Sequence, residues 1–412
     1  MLKRISVQQL TLGMHIEAFC GSWMEHPFWR SGFVLKDPTD LGRIHSSSIT
    51  EVWINCERGL DVPPGVAAVS QAQSRLEVDA HLQRIALEQR KTAPNSVADE
   101  LANATKICAQ SRQAVVSMFN EARMGNAVDT GQARQLVQEI SDSVSRNPNA
   151  LISLARLKTA DDYTYMHSVA VCAMMIALAR QLGLDEGSIR AAGVAGLLHD
   201  LGKAAMPLDL LNKPGKLTDA EFDVIKGHPA KGHAMLRQTA DIDPAALDVC
   251  LHHHEKIDGS GYPDGCKGEQ ISLVAKMGAV CDVYDAITSN RPYKTGWDPA
   301  ESLRRMAEWS SGHFESHVFQ AFVKSIGIYP IGSLVRLSSG LIGVVVEQTD
   351  RSLTTPRVKT FFSTRSNMRV LPKVIDLSRP GANDRIVNRE DPSQWRFPDV
   401  NELWSGTARP GW

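Results

Sequence analysis

The sequence predicts a mainly α protein, in which a helical core lies between a small β-rich N-terminal domain and a small β-rich C-terminal extension. Apolar residues recur with helical spacing from about residue 66 to about residue 328, a pattern typical of amphipathic helices. Short β-branched and aromatic runs, separated by turn-forming residues, stand before and after this stretch. We therefore expect four parts: a domain at 1–62, a helical connector at 63–150, the core at 151–328 and the extension at 329–412.

Composition excludes several classes of protein. Of the 412 residues, 43% are apolar and 22% are charged, and the formal net charge is −1, so no overall basic field exists to attract nucleic acid polymers or anionic lipid. The longest apolar run, Val169 to Ala179, has 11 residues, whereas a membrane span needs about 20. Seven scattered cysteines without a CxxC pair favour reduced thiols. We expect a cytoplasmic protein without a membrane or nucleic acid partner.

The N-terminal part carries two candidate strands, GFVLKD at 32–37 and VWIN at 52–55, before a Pro-Pro-Gly break. The following stretch to residue 150 is rich in Ala, Gln and Glu and predicts long amphipathic helices. These helices either connect the two flanking parts or pair in a homodimer, and the sequence does not choose between the two roles.

The core predicts a series of helices, and Thr218 lies three residues before Glu221 in the spacing of a capping box. After the core, SLVRLSSGLIGVVVEQ at 333–348 alternates and is divided by Ser-Ser-Gly, which predicts a β-hairpin. The candidate helices are 165–182, 188–200, 218–238, 244–256, 270–289 and 298–312.

Histidines are concentrated in this core: seven of the 13 lie between residues 167 and 254. GLLHDLGKA places His199 and Asp200 side by side at the end of an apolar helical stretch. Such a pair by itself is more often a capped helix end. A buried charged Asp is costly, however, unless a partner such as a metal cation offsets its charge. Imidazole and carboxylate ligands suit Zn, Fe and Mn.

The other histidines and one aspartate strengthen the metal hypothesis. His167 lies on the preceding helix, His228 opens a later segment, His253 and His254 end a further helix, and Asp282 follows. A satisfied core histidine or a capping aspartate explains each residue singly but not the series. Seven side chains can hold two ions about 4 Å apart with one shared carboxylate, the arrangement of a two-metal phosphohydrolase. His252, the first of three consecutive histidines, is expected to support this site from outside or to lie on the surface.

The same segments resemble the HD-GYP family, the hydrolases of cyclic di-GMP within the HD superfamily of metal phosphohydrolases. The resemblance covers about 155–328, and residues 2–60 more loosely resemble a domain of unknown function often found ahead of HD-GYP domains. The segments that carry it are HDLGK (199–203), NKPGKLTDAE (212–221), HPAKG (228–232), HHEKIDGSGYP (253–263), DVYDAITSNRPY (282–293) and GHF (312–314).

The resemblance implies an all-helical HD-type core with two divalent metal ions, such as Fe or Mn. One ion corresponds to His167, His199, Asp200 and Asp282, and the other to Asp200, His228, His253 and His254. Lys203 corresponds to a lysine near the scissile phosphate and, if the helix continues, lies on the face of His199 and Asp200; a solvated lysine is the alternative. Some members place a third-metal Glu where this chain has Tyr163, so we expect two ions, although Asp161 and Asp162 lie close by.

The loop GSGYP is expected to frame the entrance for substrate. Gly259 and Gly261 allow unusual backbone geometry or close approach, and Tyr262 offers a ring for stacking; a simple helix–helix turn is the alternative. By resemblance the loop also contacts partner domains, such as GGDEF-type signalling proteins. Arg291 and Lys294 are placed near the bound dinucleotide, or else form a plain surface cluster.

The activity implied is metal-dependent hydrolysis of the 3'-5' phosphodiester of cyclic di-GMP to pGpG, and then to GMP if the product is cut again. Asp200 and Lys203 are the candidate catalytic residues. A module that binds cyclic di-GMP or a partner without turnover is the alternative, and the retained ligands and Lys203 argue against it. An HD-type nucleotidase would leave the GYP and RPY segments unexplained.

Overall fold

The computed structural model describes residues 1–21, 32–47, 49–86, 95–158, 163–213, 215, 217–290, 296–349, 352–395 and 397–406. Over these residues the chain is mainly helical, with one small antiparallel sheet before the helices and another after them. The mainly α fold class is therefore confirmed. The seven cysteines are free thiols.

The N-terminal part is a five-stranded antiparallel sheet with its own apolar core. The predicted strand VWIN is confirmed, whereas GFVLKD forms only a short strand, because Asp37 caps the helix that begins at Pro38. In chain order the elements are β1 (Leu2–Ser6), β2 (His15–Phe19), β3 (Phe33–Val34), α1 (Pro38–His45), β4 (Glu51–Asn55) and β5 (Val69–Ser70), and the spatial order is β3-β2-β4-β1-β5.

The helical body surrounds one long apolar helix. Its helices are α2 (Gln71–Ala86), α3 (Val97–Arg123), α4 (Thr130–Arg146), α5 (Pro148–Ala155), α6 (Tyr163–Leu182), α7 (Glu186–Leu198), α8 (Leu208–Leu211), α9 (Asp219–Ile225), α10 (His228–Leu236), α11 (Pro244–His252), α12 (Leu273–Thr288), α13 (Pro299–His313) and α14 (Ser316–Ile326). The helix α6 is the one described helix long and apolar enough to cross a membrane, and 78% of its most apolar window is buried inside the protein.

Close packing around α6 depends on small residues. A Cβ atom added to Gly196 on α7 would lie 3.0 Å from Cys172 Cα on α6, so glycine lets these two helices approach. The helices α3, α4 and α5 share the apolar core with α6 and α7. The region expected to connect the flanking parts thus also packs on the histidine-rich core, and the predicted boundaries at 62, 150 and 328 stay predictions.

One helix prediction in the core is wrong. The stretch 218–238 is two helices, α9 and α10, because Pro229 stands in the first turn of the second and starts a new helix after Gly227. The predicted capping box of Thr218 and Glu221 at the start of α9 is confirmed. The split makes His228 the first residue of α10.

The C-terminal part confirms the predicted hairpin, whose two strands belong to a five-stranded antiparallel sheet in the order β10-β6-β7-β8-β9. Ile342, Val344 and Phe361 from one face of this sheet join the helical core. Its elements are β6 (Leu334–Leu337), β7 (Leu341–Glu347), β8 (Arg357–Ser363), β9 (Met368–Asp376), β10 (Ile386–Arg389), α15 (Pro392–Trp395) and α16 (Val400–Ser405).

Candidate metal centre

The seven candidate ligands come together, although five different helices supply them. His167 lies on α6 and Asp282 on α12, in the interiors of these helices. The other five lie at helix ends, where the backbone leaves the helix and adjacent side chains can diverge: His199 and Asp200 follow α7, His228 begins α10, and His253 and His254 follow α11. Six of the seven are buried, and the side chain of His254 is 10% exposed.

Asp200 stands between two groups of imidazoles. Its Oδ2 atom lies 3.5 Å from His167 Nε2 and 3.5 Å from His199 Nε2. Its Oδ1 atom lies 3.2 Å from His228 Nε2 and 3.8 Å from His253 Nε2. Each oxygen of one carboxylate therefore faces a different pair of histidines, as a carboxylate that bridges two cations requires.

Asp282 and His254 complete the two groups. In the first group, Asp282 Oδ1 lies 2.9 Å from His167 Nε2, and the Nε2 atoms of His167 and His199 are 3.2 Å apart. In the second group, the Nε2 atoms of His228 and His253 are 3.3 Å apart. His167, His199 and Asp282 form one cluster, and His228, His253 and His254 another, with ligand atoms within 4.8 Å of one another in each.

The hydrogen bonds around the centre show that a cation fits it. Among the described residues, the buried atoms Asp200 Oδ1 and Asp282 Oδ2 receive no hydrogen bond of good geometry. Buried carboxylate oxygens without a donor are costly. Imidazole nitrogens and carboxylate oxygens at this spacing are the donor set of Zn, Fe and Mn sites. The described residues therefore offer metal-binding clusters, as expected of a metal-dependent HD domain.

Backbone carbonyls set the orientation of three imidazoles. The Nδ1 atoms of His199, His228 and His253 lie 2.8, 2.8 and 2.9 Å from the carbonyl oxygens of Gly196, Ile225 and Val249. A carbonyl only accepts, so each Nδ1 must donate, and the Nε2 lone pair is left to point into the centre.

Burial and charge hold four of the groups in the protonation states that metal ligands need, whereas at His167 the carboxylates of Asp282 and Asp285 outweigh burial and raise the pKa. Burial lowers the pKa of His253 to about 3 and that of His254 well below its usual range, so both rings are neutral near pH 7. Burial also acts to raise the pKa of Asp200 and Asp282. The Lys203 ammonium beside Asp200, and the hydrogen bond from His167 to Asp282, outweigh it and keep both pKa values well below normal.

A buried pair orients His167, one of the two remaining histidines. Asp285 lies one turn after Asp282, with Oδ2 2.7 Å from His167 Nδ1. Lys158, which was not foreseen, donates to both oxygens of Asp285 at 2.6 and 2.7 Å. A single lysine between helices carries no pattern that would reveal this role.

Two glycines that sequence reasoning did not select bring the motifs together. A Cβ atom on Gly202 would lie 1.9 Å from the carbonyl oxygen of His228, and one on Gly232 would lie 2.8 Å from the Gly202 nitrogen. The turn after Asp200 thus packs directly on the α10 backbone, which any larger residue would prevent. The glycines in HDLGK and HPAKG were the feature of the sequence that could have predicted this close backbone contact.

Lys203 lies beside the centre, but not on a continued helix. The helix α7 ends at Leu198, and Lys203 belongs to the 3-10 turn Leu201–Ala205. The helix does not continue to Lys203, because the chain leaves it at Asp200, yet the Lys203 ammonium still contacts Asp200 Oδ2. Its side chain is 21% exposed, which leaves it open to a molecule bound over the centre.

The GSGYP loop covers one side of the second group. The Tyr262 ring stacks on the His254 ring with centroids 4.7 Å apart. Gly259 has a φ of +83°, whereas Gly261 is needed for close approach, since its Cβ would lie 2.5 Å from Glu255 Cα. The loop therefore rests tightly on the end of α11.

Several predicted residues lie outside the part of the chain that the structure describes: Asp161, Asp162, Arg291 and Lys294. Tyr163, at the position of the third-metal Glu, stacks on the His167 ring with centroids 5.6 Å apart.

Comparison with known proteins gives two matches to family models. An HD domain matches residues 138–318, and a domain of unknown function (DUF3391) matches residues 2–133. Over 412 residues the chain is 56% identical to the cyclic di-GMP phosphodiesterase PA4108 of Pseudomonas aeruginosa, covering 99% of this chain and 97% of that protein.

Other relatives match shorter stretches. The cyclic di-GMP phosphodiesterase response regulator RpfG of Xanthomonas campestris is 51% identical over 122 residues, which is 29% of this chain and 32% of that protein. The 3'3'-cGAMP-specific phosphodiesterase 1 of Vibrio cholerae is 35% identical over 164 residues, which is 40% of this chain and 38% of that protein.

Proposed function

Since the chain belongs to the HD-GYP family of HD-domain proteins, we propose that it is a metal-dependent phosphodiesterase that hydrolyses cyclic di-GMP. Its similarity to a cyclic di-GMP phosphodiesterase runs through the whole chain and includes the N-terminal domain. The similarity to a cGAMP-specific enzyme is lower and covers less than half of the chain, which favours cyclic di-GMP as the substrate.

The observation that carries this proposal is the position of Asp200. Its two oxygens face two separate histidine pairs at 3.2 to 3.8 Å, so one carboxylate joins two ligand groups. We propose that His167, His199 and Asp282 hold one divalent ion, that His228, His253 and His254 hold a second, and that Asp200 bridges the two. Imidazole nitrogens suit Fe and carboxylate oxygens suit Mn, so either ion is compatible with this mixed set of ligands.

Two such ions would supply an activated water and neutralise charge on the phosphoryl oxygens. The protein's own side chains keep the ligand atoms in the required protonation states and away from bulk water. Asp200 and Asp282 are held as carboxylates and His253 and His254 as neutral rings, so their lone pairs are available at neutral pH. Because six of the seven side chains are buried, bulk water is kept from the ligand atoms.

Lys203 is the group available to act on the phosphate. Its ammonium contacts Asp200 Oδ2 and is partly exposed, so it can donate a hydrogen bond to a phosphoryl oxygen placed over Asp200. It can also donate toward the ribose oxygen that leaves when the phosphodiester is cut. The first product expected is linear pGpG, and GMP follows if the second bond is cut.

The Tyr262 ring lies beside His254 at the exposed side of the centre, where a guanine base can stack. We propose that Gly261 and Tyr262 form one wall of the substrate site. Arg291 and Lys294, which lie outside the described residues, stay predictions for contacts to the bound dinucleotide. Recognition of a GGDEF-type partner through this loop, homodimerisation and a cytoplasmic location also stay predictions.

Turnover by protein purified without oxygen tests the proposal. The wild type is loaded with Fe(II) or Mn(II), its metal content is measured, and cyclic di-GMP and 3'3'-cGAMP are compared as substrates by chromatography of the products. We expect about two ions per chain and faster turnover of cyclic di-GMP. The Asp200→Asn variant should lose both metal and turnover. Tight binding of cyclic di-GMP by metal-loaded wild type without turnover would support the sensor alternative instead.

A further inference from the structure

The first of the three consecutive histidines points away from the metal centre. His252 Nε2 lies 3.2 Å from Asp264 Oδ2, at the far end of the GSGYP loop. Cys266 joins them, and one ligand atom from each of the three residues lies within 4.8 Å of the others. His252 and Cys266 are partly buried and Asp264 is exposed, so an ion can reach this group from solvent.

We propose that His252, Asp264 and Cys266 bind a divalent cation of the Zn²⁺ type, at a site separate from the centre around Asp200. Imidazole nitrogen, carboxylate oxygen and thiolate sulfur are the three protein donors that Zn²⁺ takes. Tetrahedral ligands at zinc bond lengths lie about 3.3 Å apart, and the His252–Asp264 distance of 3.2 Å agrees with this spacing. A water molecule would fill the fourth position.

The orientation of His252 supports a cation at this place. Its Nδ1 lies 2.7 Å from Asp248 Oδ1, and the other oxygen of Asp248 accepts a hydrogen bond from the Ser272 hydroxyl. A neutral His252 that donates to Asp248 therefore turns an Nε2 lone pair toward a carboxylate oxygen. Either a proton on Nε2, as in an imidazolium that donates to both carboxylates, or a cation in its place can lie between these two atoms. A carboxylate that holds the far nitrogen of a ligand histidine is the usual outer contact of a zinc site.

Hydrogen bonds within the loop fix the backbone at Asp264 without the cation. The Glu255 carboxylate accepts hydrogen bonds from the backbone nitrogens of Asp264 and Gly265, at 2.8 and 3.1 Å. Partial burial and the nearby carboxylates of Glu255, Asp264 and Asp248 raise the pKa of the Cys266 thiol. A dication among these carboxylates would stabilise the thiolate and displace its proton to solvent.

A cation at this site would connect the two ends of the segment 252–266, which contains the residues proposed to contact the substrate. His252 and Cys266 bracket His253, His254, Gly261 and Tyr262 in the sequence. A cation held by the two ends would keep the Tyr262 ring against His254, and its loss would free the loop. The concentration of free zinc would then modulate access to the phosphodiesterase centre.

Cobalt binding to the full-length protein tests the proposal, because Co²⁺ replaces Zn²⁺ and a cobalt–thiolate bond absorbs in the near ultraviolet. The seven residues proposed to ligate around Asp200 include no cysteine, so cobalt bound there gives no such band. We expect the wild type to develop the band within about three equivalents of cobalt, because about two are taken up by the centre around Asp200, and to lose it when Zn²⁺ is added. The Cys266→Ser variant should show no band, and His252→Gln should weaken the cobalt affinity at least tenfold.

Two controls separate this site from the proposed catalytic centre. The Cys56→Ser variant removes another partly exposed thiol beside a carboxylate and should keep the band. The Asp200→Asn variant should lose metal at the main centre and also keep the band, so each proposal can fail without the other. A wild type without the band at saturating cobalt, or a Cys266→Ser variant that retains it, would overturn the zinc-type site and leave a plain His252–Asp264 hydrogen bond.

Discussion

Lys158 Nζ lies 2.6 Å from Asp285 Oδ2, and both side chains are buried. The same oxygen lies 2.7 Å from His167 Nδ1, so one carboxylate joins a buried ammonium to a candidate metal ligand. The ammonium and His167 also act against burial and keep the pKa of Asp285 below its usual value. Asp285 is therefore a charged acceptor that holds the His167 ring in one orientation, and the first two predictions follow from this contact.

Replacing Asp285 by Asn should weaken metal binding without removing a ligand. The amide cannot accept equally well from Lys158 and His167, so the His167 ring loses its fixed orientation. Loss of such an outer contact costs about 10- to 100-fold in metal affinity. Metal titration of the purified variant measures it, with Asp142→Asn, on the surface of α4, as the control. Unchanged affinity in the Asp285 variant would show that α6 packing alone orients His167.

Replacing Lys158 by Met should lower the free energy of unfolding. It leaves Asp285 buried without its cation, and breaking a buried pair in this way costs about 3 to 5 kcal/mol. Urea unfolding in the presence of a chelator measures the loss. The double variant Lys158→Met/Asp285→Asn should recover part of it, because the uncompensated charge is gone. A single variant as stable as the wild type would contradict the importance of the pair.

Replacing Lys203 by Gln should reduce kcat while the metal content stays the same. The ammonium contacts Asp200 but is not one of the seven candidate ligands. A positioned cation at a phosphoryl oxygen contributes about 100-fold or more. Steady-state kinetics together with metal analysis separate the two effects. Lys231→Gln on the exposed side of α10 is the matched control and should behave as the wild type. Equal loss of metal and of kcat would instead make Lys203 a structural residue.

Replacing Gly261 by Ala should disturb the substrate site through the backbone. The added Cβ would lie 2.5 Å from both Glu255 Cα and Lys256 N, so the loop must move away from α11. A shift of about 1 Å near a reaction centre can cost about 100-fold in rate. We expect kcat/KM to fall by at least tenfold, measured with cyclic di-GMP. Gly42→Ala, where the added atom meets nothing within 4 Å, should leave the kinetics unchanged.

The metal-free protein should lose stability as the pH falls below about 6.5, which is the usual pKa of a histidine in an unfolded chain. Burial lowers the pKa of His253 to about 3 in the folded state, so the unfolded state binds the proton first. This one group should lower the free energy of unfolding by about 1.4 kcal/mol at about pH 5.5 and by almost nothing above about pH 7.5. Denaturant unfolding with a chelator at several pH values measures the slope of the free energy of unfolding against pH. The His253→Gln variant should show a shallower slope, and identical slopes would contradict the prediction.

The sequence by itself determined the chemistry of the core. Imidazoles and carboxylates at His167, His199, Asp200 and Asp282 can be recognised as candidate ligands from their series along the chain, because few other residue types ligate metals. Helical periodicity located α6 and α12, and the Ser-Ser-Gly turn located the β6–β7 hairpin, since these are local properties of the chain. Periodicity did not reveal the division between α9 and α10, where Pro229 starts a new helix.

Only the tertiary structure decided which groups meet. Lys158 and Asp285 are 127 residues apart, and no local pattern pairs them. Gly202 and Gly232 were visible in the motifs, but their purpose appears only where the turn after Asp200 packs on α10. His252 and His253 are neighbours in the chain, yet the end of α11 sends one toward Asp264 and the other toward Asp200. Contacts across the fold depend on how helices pack, and helix packing is set by the whole core rather than by the residues beside each ligand.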